Sequence, residues 1–293
     1  MLFLMKESLI SFLDMTAWRM ETPQLFGGFH LCVLVISAAA AVCAAVYFSR
    51  TVAGKAKTAS GIPAADGRLV QLLFVCGCVL AVLEVYKQLF LYYVVNGEAY
   101  DWWFFPFQLC SVPMYLCILL PLAGKKLRRT FITFMSGYTF ISAAAALIYP
   151  EDYLRSYISL TVHGFLWHGI LLFISLLIIF SGAADSRGRG IIRAAGLFAV
   201  LCAAAVLINI AAEPLMQAAV QNGAGLPHDH AAMFYLNPYH LSPQPLVSSV
   251  QKTAGIPAGL VLYSLVIAAA GSAVILLASR AASGSRKARS STR

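Results

Sequence analysis

The chain has 293 residues, of which 60% are hydrophobic and only 11% charged. Charged residues make up about a quarter of an ordinary soluble domain, so that class is excluded. The net charge of +9 does not point to nucleic acid, because the charges follow the ends of apolar runs.

Residues 1–22 are too short and too punctuated to span a bilayer. Leu2, Met5, Leu9, Phe12 and Leu13 fall on one helical face, which predicts an interfacial amphipathic helix. A signal peptide is the rival reading. The run from Leu25 to Tyr47 is too long for one and stops at Arg50 as an ordinary span does. Further apolar runs of more than 18 residues predict an all-α, polytopic seven-transmembrane-helix bundle over residues 23–279. The spans are 25–49, 69–95, 104–123, 130–149, 157–181, 191–213 and 256–279. The alternating segments of about 10 residues that mark a transmembrane barrel are lacking. Residues 51–66 have the composition of a flexible linker, and residues 280–293 (RAASGSRKARSSTR) that of a basic, disordered tail.

Lys and Arg outside the spans alternate between two sides. The 1–2, 3–4 and 5–6 connections, the start of span six and the tail hold sixteen; the opposite side holds Lys6, Arg19, Arg155 and Lys252. That asymmetry predicts a cytoplasmic carboxyl terminus and an external amino terminus, in a multi-pass protein of the cell membrane.

Depth then follows from each span's outer end at about 1.5 Å per residue. Cys110, His163 and His30 lie about five or six residues in on spans three, five and one. His168 is deeper on span five. Lys87, Gln88 and Glu84 occupy the outer half of span two, and Asn209 the outer end of span six, beside Glu213. Gln108 and Ser111 flank Cys110. Each has a bland reading: Lys87 can snorkel or pair with Glu84, Asn209 can bind a neighbouring helix, and His30 can bond a backbone carbonyl. Cys110 can be a small apolar filler. Together they predict one polar pocket opening outward, with spans two, three, five and six around it and His30 closing it from span one. In such a pocket a thiol beside His163 is an activatable nucleophile, with Lys87 adding positive potential and Gln108 and Asn209 available to an oxyanion. A substrate at that depth is a lipid ester.

The seven cysteines (32, 43, 76, 78, 110, 117 and 202) all lie in apolar spans, so no disulfide framework is implied. Cys76-Gly77-Cys78 points its thiols about 200° apart on a helix and does not suit a metal. The long outer connection, 214–255, contains His228-Asp229-His230 with His240 beyond. It lacks a fourth ligand at a telling spacing, so neither metal nor other cofactor is expected. Met233-Phe234-Tyr235 in the same connection suits a cavity cover, a segment dipping into the interface, or an ordinary loop with aromatic anchors. A retinal protein is disfavoured, because span seven carries no lysine for a Schiff base.

Four motifs carry a family resemblance: QLFGGFH at the first span, FPFQLCS on the third, VHGFLWHG on the fifth, and Asn209 near the end of the sixth. The chain resembles the YwaF-like family, whose eukaryotic relatives are the transmembrane protein 164 proteins. The resemblance implies a lipid acyltransferase that moves acyl chains between membrane phospholipids, with Cys110 as nucleophile and His163 as base. His30, Glu84, Lys87, Gln88, Gln108, His168 and Asn209 then fall to substrate binding. Bacterial members often read His-Leu-Cys-Asp where this chain has Gln108-Leu109-Cys110-Ser111. The alternative is a transporter or small-molecule-binding protein that uses the Glu84–Lys87 layer without catalysis. No nucleic-acid partner is expected, and oligomeric state is not encoded in any of these features.

Overall fold

The computed structural model describes residues 2–52 and 67–291; most of the expected 51–66 linker lies outside them. The described residues are helical, with no strand beyond an isolated bridge between Arg19 and Tyr157. The order is α1 (Leu2–Met15), α2 (Gly28–Val52), α3 (Gly67–Phe90), α4 (Val112–Leu119), α5 (Lys125–Phe134), α6 (Phe140–Ile148), α7 (Ile158–Ser181), α8 (Gly188–Gln221), α9 (Pro245–Ala254) and α10 (Ile256–Ser291). A π turn over Leu91–Val95 extends α3, and another over Met135–Thr139 joins α5 to α6.

Six helical stretches are long and apolar enough to cross a membrane: Gly28–Val52, Gly67–Val95, Lys125–Ile148, Ile158–Ser181, Gly188–Gln221 and Ile256–Arg280. The apolar run 104–123, expected as a continuous span, is not one. Its proline content explains the break. Pro106 holds Phe105 extended (φ −53°, ψ 133°), Pro113 fits only the first turn of α4, and α4 ends just ahead of Pro121. A non-helical segment, 105–111, and a helix of eight residues replace the span.

This broken segment still runs antiparallel along α3. Gln88 Nε2 donates to the Phe104 carbonyl at 2.6 Å. Farther along, a Cβ on Gly77 would sit 2.8 Å from Cys117 Cβ, so the two backbones meet where only glycine fits. At the far end, Arg128 Nε donates to the Leu120 carbonyl at 3.1 Å. We call that end, where the Lys- and Arg-rich connections gather, the basic end, and the opposite one the pocket end.

Small residues set the helix contacts. On α2 the buried positions Ala41, Ala45, Ser49 and Val52 repeat at helical spacing, and that stripe faces α7. The rest of α2 and most of α10 present apolar side chains outward, as a lipid-facing helix does. At the centre, Tyr138 is fully buried, stacked between Phe134 and Phe198 at 4.7 and 4.9 Å, with its hydroxyl donating to the Ala268 carbonyl.

Three boundaries depart from the sequence expectation. Helix α8 passes Pro214 and continues to Gln221, so the long connection begins only at 222. Helix α10 continues through the basic residues from Arg280 to Ser291 rather than ending in an irregular tail, and Thr292 and Arg293 lie outside the described residues. The amino-terminal segment does form α1. Leu13 is its buried anchor, against Phe90, Leu91 and Leu160, while Met5 and Phe12 stay exposed. Backbone bonds from Met20 N to the Ser156 carbonyl and from Ile158 N to the Trp18 carbonyl hold its exit beside the start of α7.

Candidate active site

A cavity of about 480 Å³ opens at the pocket end. Its walls come from the end of α3 (Lys87), the 103–111 segment, α6, the first turns of α7, the connection before α9, and α10 through Tyr263, Ile267 and Ala270.

Cys110 sits in the turn 108–111 that starts α4. That turn is closed by Ser111 N and Val112 N on the Gln108 carbonyl, at 2.8 and 3.2 Å. The Tyr115 hydroxyl donates to the Pro106 carbonyl and Trp167 Nε1 to the Cys110 carbonyl, so the turn is pinned from α4 and α7. Cys110 is half-buried as a residue and lines the cavity.

His163 lies on the same cavity. Its Nε2 contacts the Leu83 carbonyl at 3.1 Å. A carbonyl only accepts, so Nε2 carries the proton and Nδ1 keeps its lone pair. Trp167, one turn later, stacks on the imidazole at 5.7 Å and carries Lys87 Nζ 5.9 Å above its own ring. His168 is fixed in the opposite tautomer by Nδ1 on the Gly164 carbonyl at 2.8 Å, and it stacks on Tyr153 at 4.9 Å. Gly164 has to be glycine here, because a Cβ would enter the Tyr153 ring.

Of the remaining expected site residues, Lys87 and Gln108 line this cavity, whereas Glu84, Gln88, His30 and Asn209 lie outside it. Glu84 is buried and takes Lys87 Nζ at 2.8 Å and Gln88 Nε2 at 2.7 Å, so only Lys87 of the three reaches the cavity. His30 accepts from Phe26 N through Nδ1 and donates from Nε2 to the Leu147 carbonyl, each at 3.0 Å; it joins α2 to the end of α6 and does not close the pocket. Walls expected from spans one and six are instead supplied by α6 and α10. Depth was legible from residue counts, but helix rotation was not.

Gln108 and Asn209 have a task that the sequence reading did not assign. Gln108 donates to the Ala232 carbonyl and accepts from Phe234 N, at 3.0 and 2.8 Å. Asn209 donates to the Met233 carbonyl and accepts from Met233 N, at 3.1 and 2.7 Å. Two side-chain amides thus clamp one buried strap of the long connection over the cavity. Of the readings open for Met233-Phe234-Tyr235, the cavity cover is the one observed. Phe234 and Tyr235 have left-handed backbones (φ 54° and 58°), a conformation that costs about 1–3 kcal/mol per residue. The clamps, and the burial of Phe234 against Phe107 and Phe198, offset that cost. With both amides so engaged, neither is the ready oxyanion donor that the sequence suggested. Asn209→Ala would leave the buried Met233 N–H without a partner, at about 1–3 kcal/mol, while the Met233 carbonyl keeps its bond from Leu236 N. Hydrogen exchange across 231–237 is expected to accelerate at least about fivefold in that variant, and unchanged protection would refute the clamp.

Cavity residues that the sequence reading missed include Asp152, Tyr153, Arg155, Trp167 and Tyr263. Asp152, Tyr153 and Arg155 sit in a connection of a few residues that gave no motif. The Tyr235 hydroxyl donates to Asp152 Oδ2 at 3.0 Å, closing the strap against that connection. Burial beside Asp152 holds the Tyr235 phenol well above its ordinary pKa, so it stays a donor.

Among the described residues, no three His, Cys, Asp or Glu converge as a metal site. The loop histidines bind acids singly: His228 to Asp101, His230 to Asp229 and His240 to Glu213, at 2.6–2.8 Å.

Fold and site together define a multi-pass helical membrane protein with a strapped cavity that presents a thiol and two imidazoles of fixed tautomer. The chain belongs to the TMEM164 family, whose model matches residues 25–278. No curated protein and no solved structure matches it.

Proposed function

We propose that the chain is a lipid acyltransferase of the cell membrane, crossing it seven times with the amino terminus outside, and that Cys110 carries the acyl group. The observation that carries this reading is the cavity itself. Cys110 and a His163 with a free Nδ1 line one mostly apolar space beneath a strap. The seventh crossing is the broken segment 104–123, and the sixteen-to-four charge split supports the orientation.

In the first half-reaction His163 Nδ1 accepts the thiol proton and the sulfur attacks an acyl ester carbonyl of a phospholipid. The carbon–oxygen bond breaks, the departing glycerol oxygen takes the proton from the imidazolium, and a thioester remains. In the second, a lysophospholipid hydroxyl gives its proton to His163 and attacks the thioester carbonyl, the carbon–sulfur bond breaks, and the departing sulfur takes the proton back from the imidazolium. The N–H groups of Leu109 and Cys110 have no acceptor among the described residues, and as donors in the turn they suit the transient oxyanion.

Purified protein in a mixed phospholipid pool, analysed by mass spectrometry for exchanged acyl chains, tests the activity. Absence of exchange in every headgroup class would refute it. For the topology, reporter fusions after Lys126 and after Arg289 are expected to read as cytoplasmic and one after Asp152 as external. A cytoplasmic signal at Asp152 would overturn the seven crossings.

A further inference from the structure

Two cations line the cavity, and they differ in how their charge is answered. Lys87 Nζ lies 2.8 Å from Glu84, so its charge is neutralised within the wall. Arg155 makes no ion pair among the described residues. Its Nε donates to the Asp152 main-chain carbonyl at 2.9 Å, and its guanidinium lies 4.9 Å from the Phe104 ring centroid. These two contacts hold the planar group while leaving its terminal nitrogens without a protein acceptor among the described residues. Neither carboxylate in its surroundings pairs with it: Asp152 Oδ2 accepts from the Tyr235 hydroxyl, and Asp101 bonds His228 and Trp103 N. Partial burial works against this charge and pulls the Arg155 pKa below its ordinary value. A partly desolvated guanidinium with spare donors on a cavity wall matches the geometry of a phosphate oxygen pair.

We propose that Arg155 is the phosphate-recognition residue of this cavity, binding the phosphodiester or phosphomonoester of a lipid whose acyl chain occupies the apolar interior. This rests on the acyltransferase reading and adds to it the part of the substrate that is held. The placement fits the chemistry. Arg155 precedes α7, and His163 lies five residues into that helix, about 7–8 Å along its axis. A phosphate at the mouth thus leaves the glycerol to carry the acyl ester inward toward the imidazole.

The test is binding, which needs no turnover. Full-length protein in nonionic micelles is titrated with lysophosphatidic acid, with monoacylglycerol of the same chain, and with inorganic phosphate. The readout is fluorescence of Trp103 and Trp167, which line the cavity. Arg155→Met is expected to weaken lysophosphatidic acid at least tenfold and leave monoacylglycerol within about twofold. Arg155→Lys, which keeps charge but loses the fork, is expected to fall between parent and Arg155→Met. Equal weakening of both lipids would mean a disturbed wall, and unchanged affinity for lysophosphatidic acid would mean that the guanidinium only rests on Phe104. Either result overturns the proposal. Inorganic phosphate is expected not to displace the lipid; displacement that disappears in Arg155→Met would assign the site to a soluble anion and overturn the lipid assignment. Failure of acyl exchange would leave these affinities untouched, so the two readings fail separately.

Discussion

Cys110→Ala is expected to abolish acyl exchange while leaving the protein folded, because Cys110 contributes its carbonyl rather than its side chain to the packing that pins the 108–111 turn. His163→Ala is expected to reduce exchange by about 10²–10⁴-fold, the range for a positioned general base. Alkylation separates chemistry from substrate. A lipid-soluble electrophile is expected to label Cys110 ahead of the other six cysteines and at least about tenfold more slowly in His163→Ala, since one pKa unit corresponds to a factor of ten in thiolate. Accessibility alone predicts another order, because Cys32, Cys43 and Cys78 are the exposed cysteines, on the outer faces of α2 and α3, and Cys110 is only partly accessible. Labelling that follows exposure, or that ignores His163, would return Cys110 to a small residue filling a helix contact.

Gly137→Ala is expected to harm the fold severely. Gly137 lies in the π turn between α5 and α6, and a Cβ there would overlap the Gly271 carbonyl and lie 2.7 Å from Ile275 Cγ1 on α10. The first obstacle is backbone and cannot rotate away, so α10 has to shift. A cost of about 3 kcal/mol or more is expected. The same helix supplies Tyr263 and Ile267 to the cavity, so exchange should fall along with thermal stability. Gly196→Ala is the control. Nothing lies within 4 Å of that Cβ in the middle of α8, and alanine there should be neutral or stabilising by up to about 1 kcal/mol. Equal melting temperatures for the two variants would show that α10 does not cross the π turn closely.

The sequence alone determined the class of this protein. Apolar runs and the placement of Lys and Arg are sums over neighbouring residues, and the partition between lipid and water depends on those sums before any helix meets another. It also brought Cys110, Lys87 and His163 to a common depth and set His168 below them, since rise per residue is fixed within a helix. Tertiary structure decided everything that depends on rotation and on contact between distant segments. Hydropathy counted 104–123 as a span, whereas Pro106, Pro113 and Pro121 break its helix and turn Cys110 into the cavity wall. His30 and Asn209 share the pocket's depth but face other partners. Gln108 and Asn209 meet the 232–234 backbone across 124 and 24 residues of chain, a separation at which no local pattern carries information. Arg155 reads in sequence as one topology charge among four. Only the folded chain shows that its carboxylate neighbours bond other groups and form no ion pair with it, because a charge is paired or unpaired in space and not along the chain.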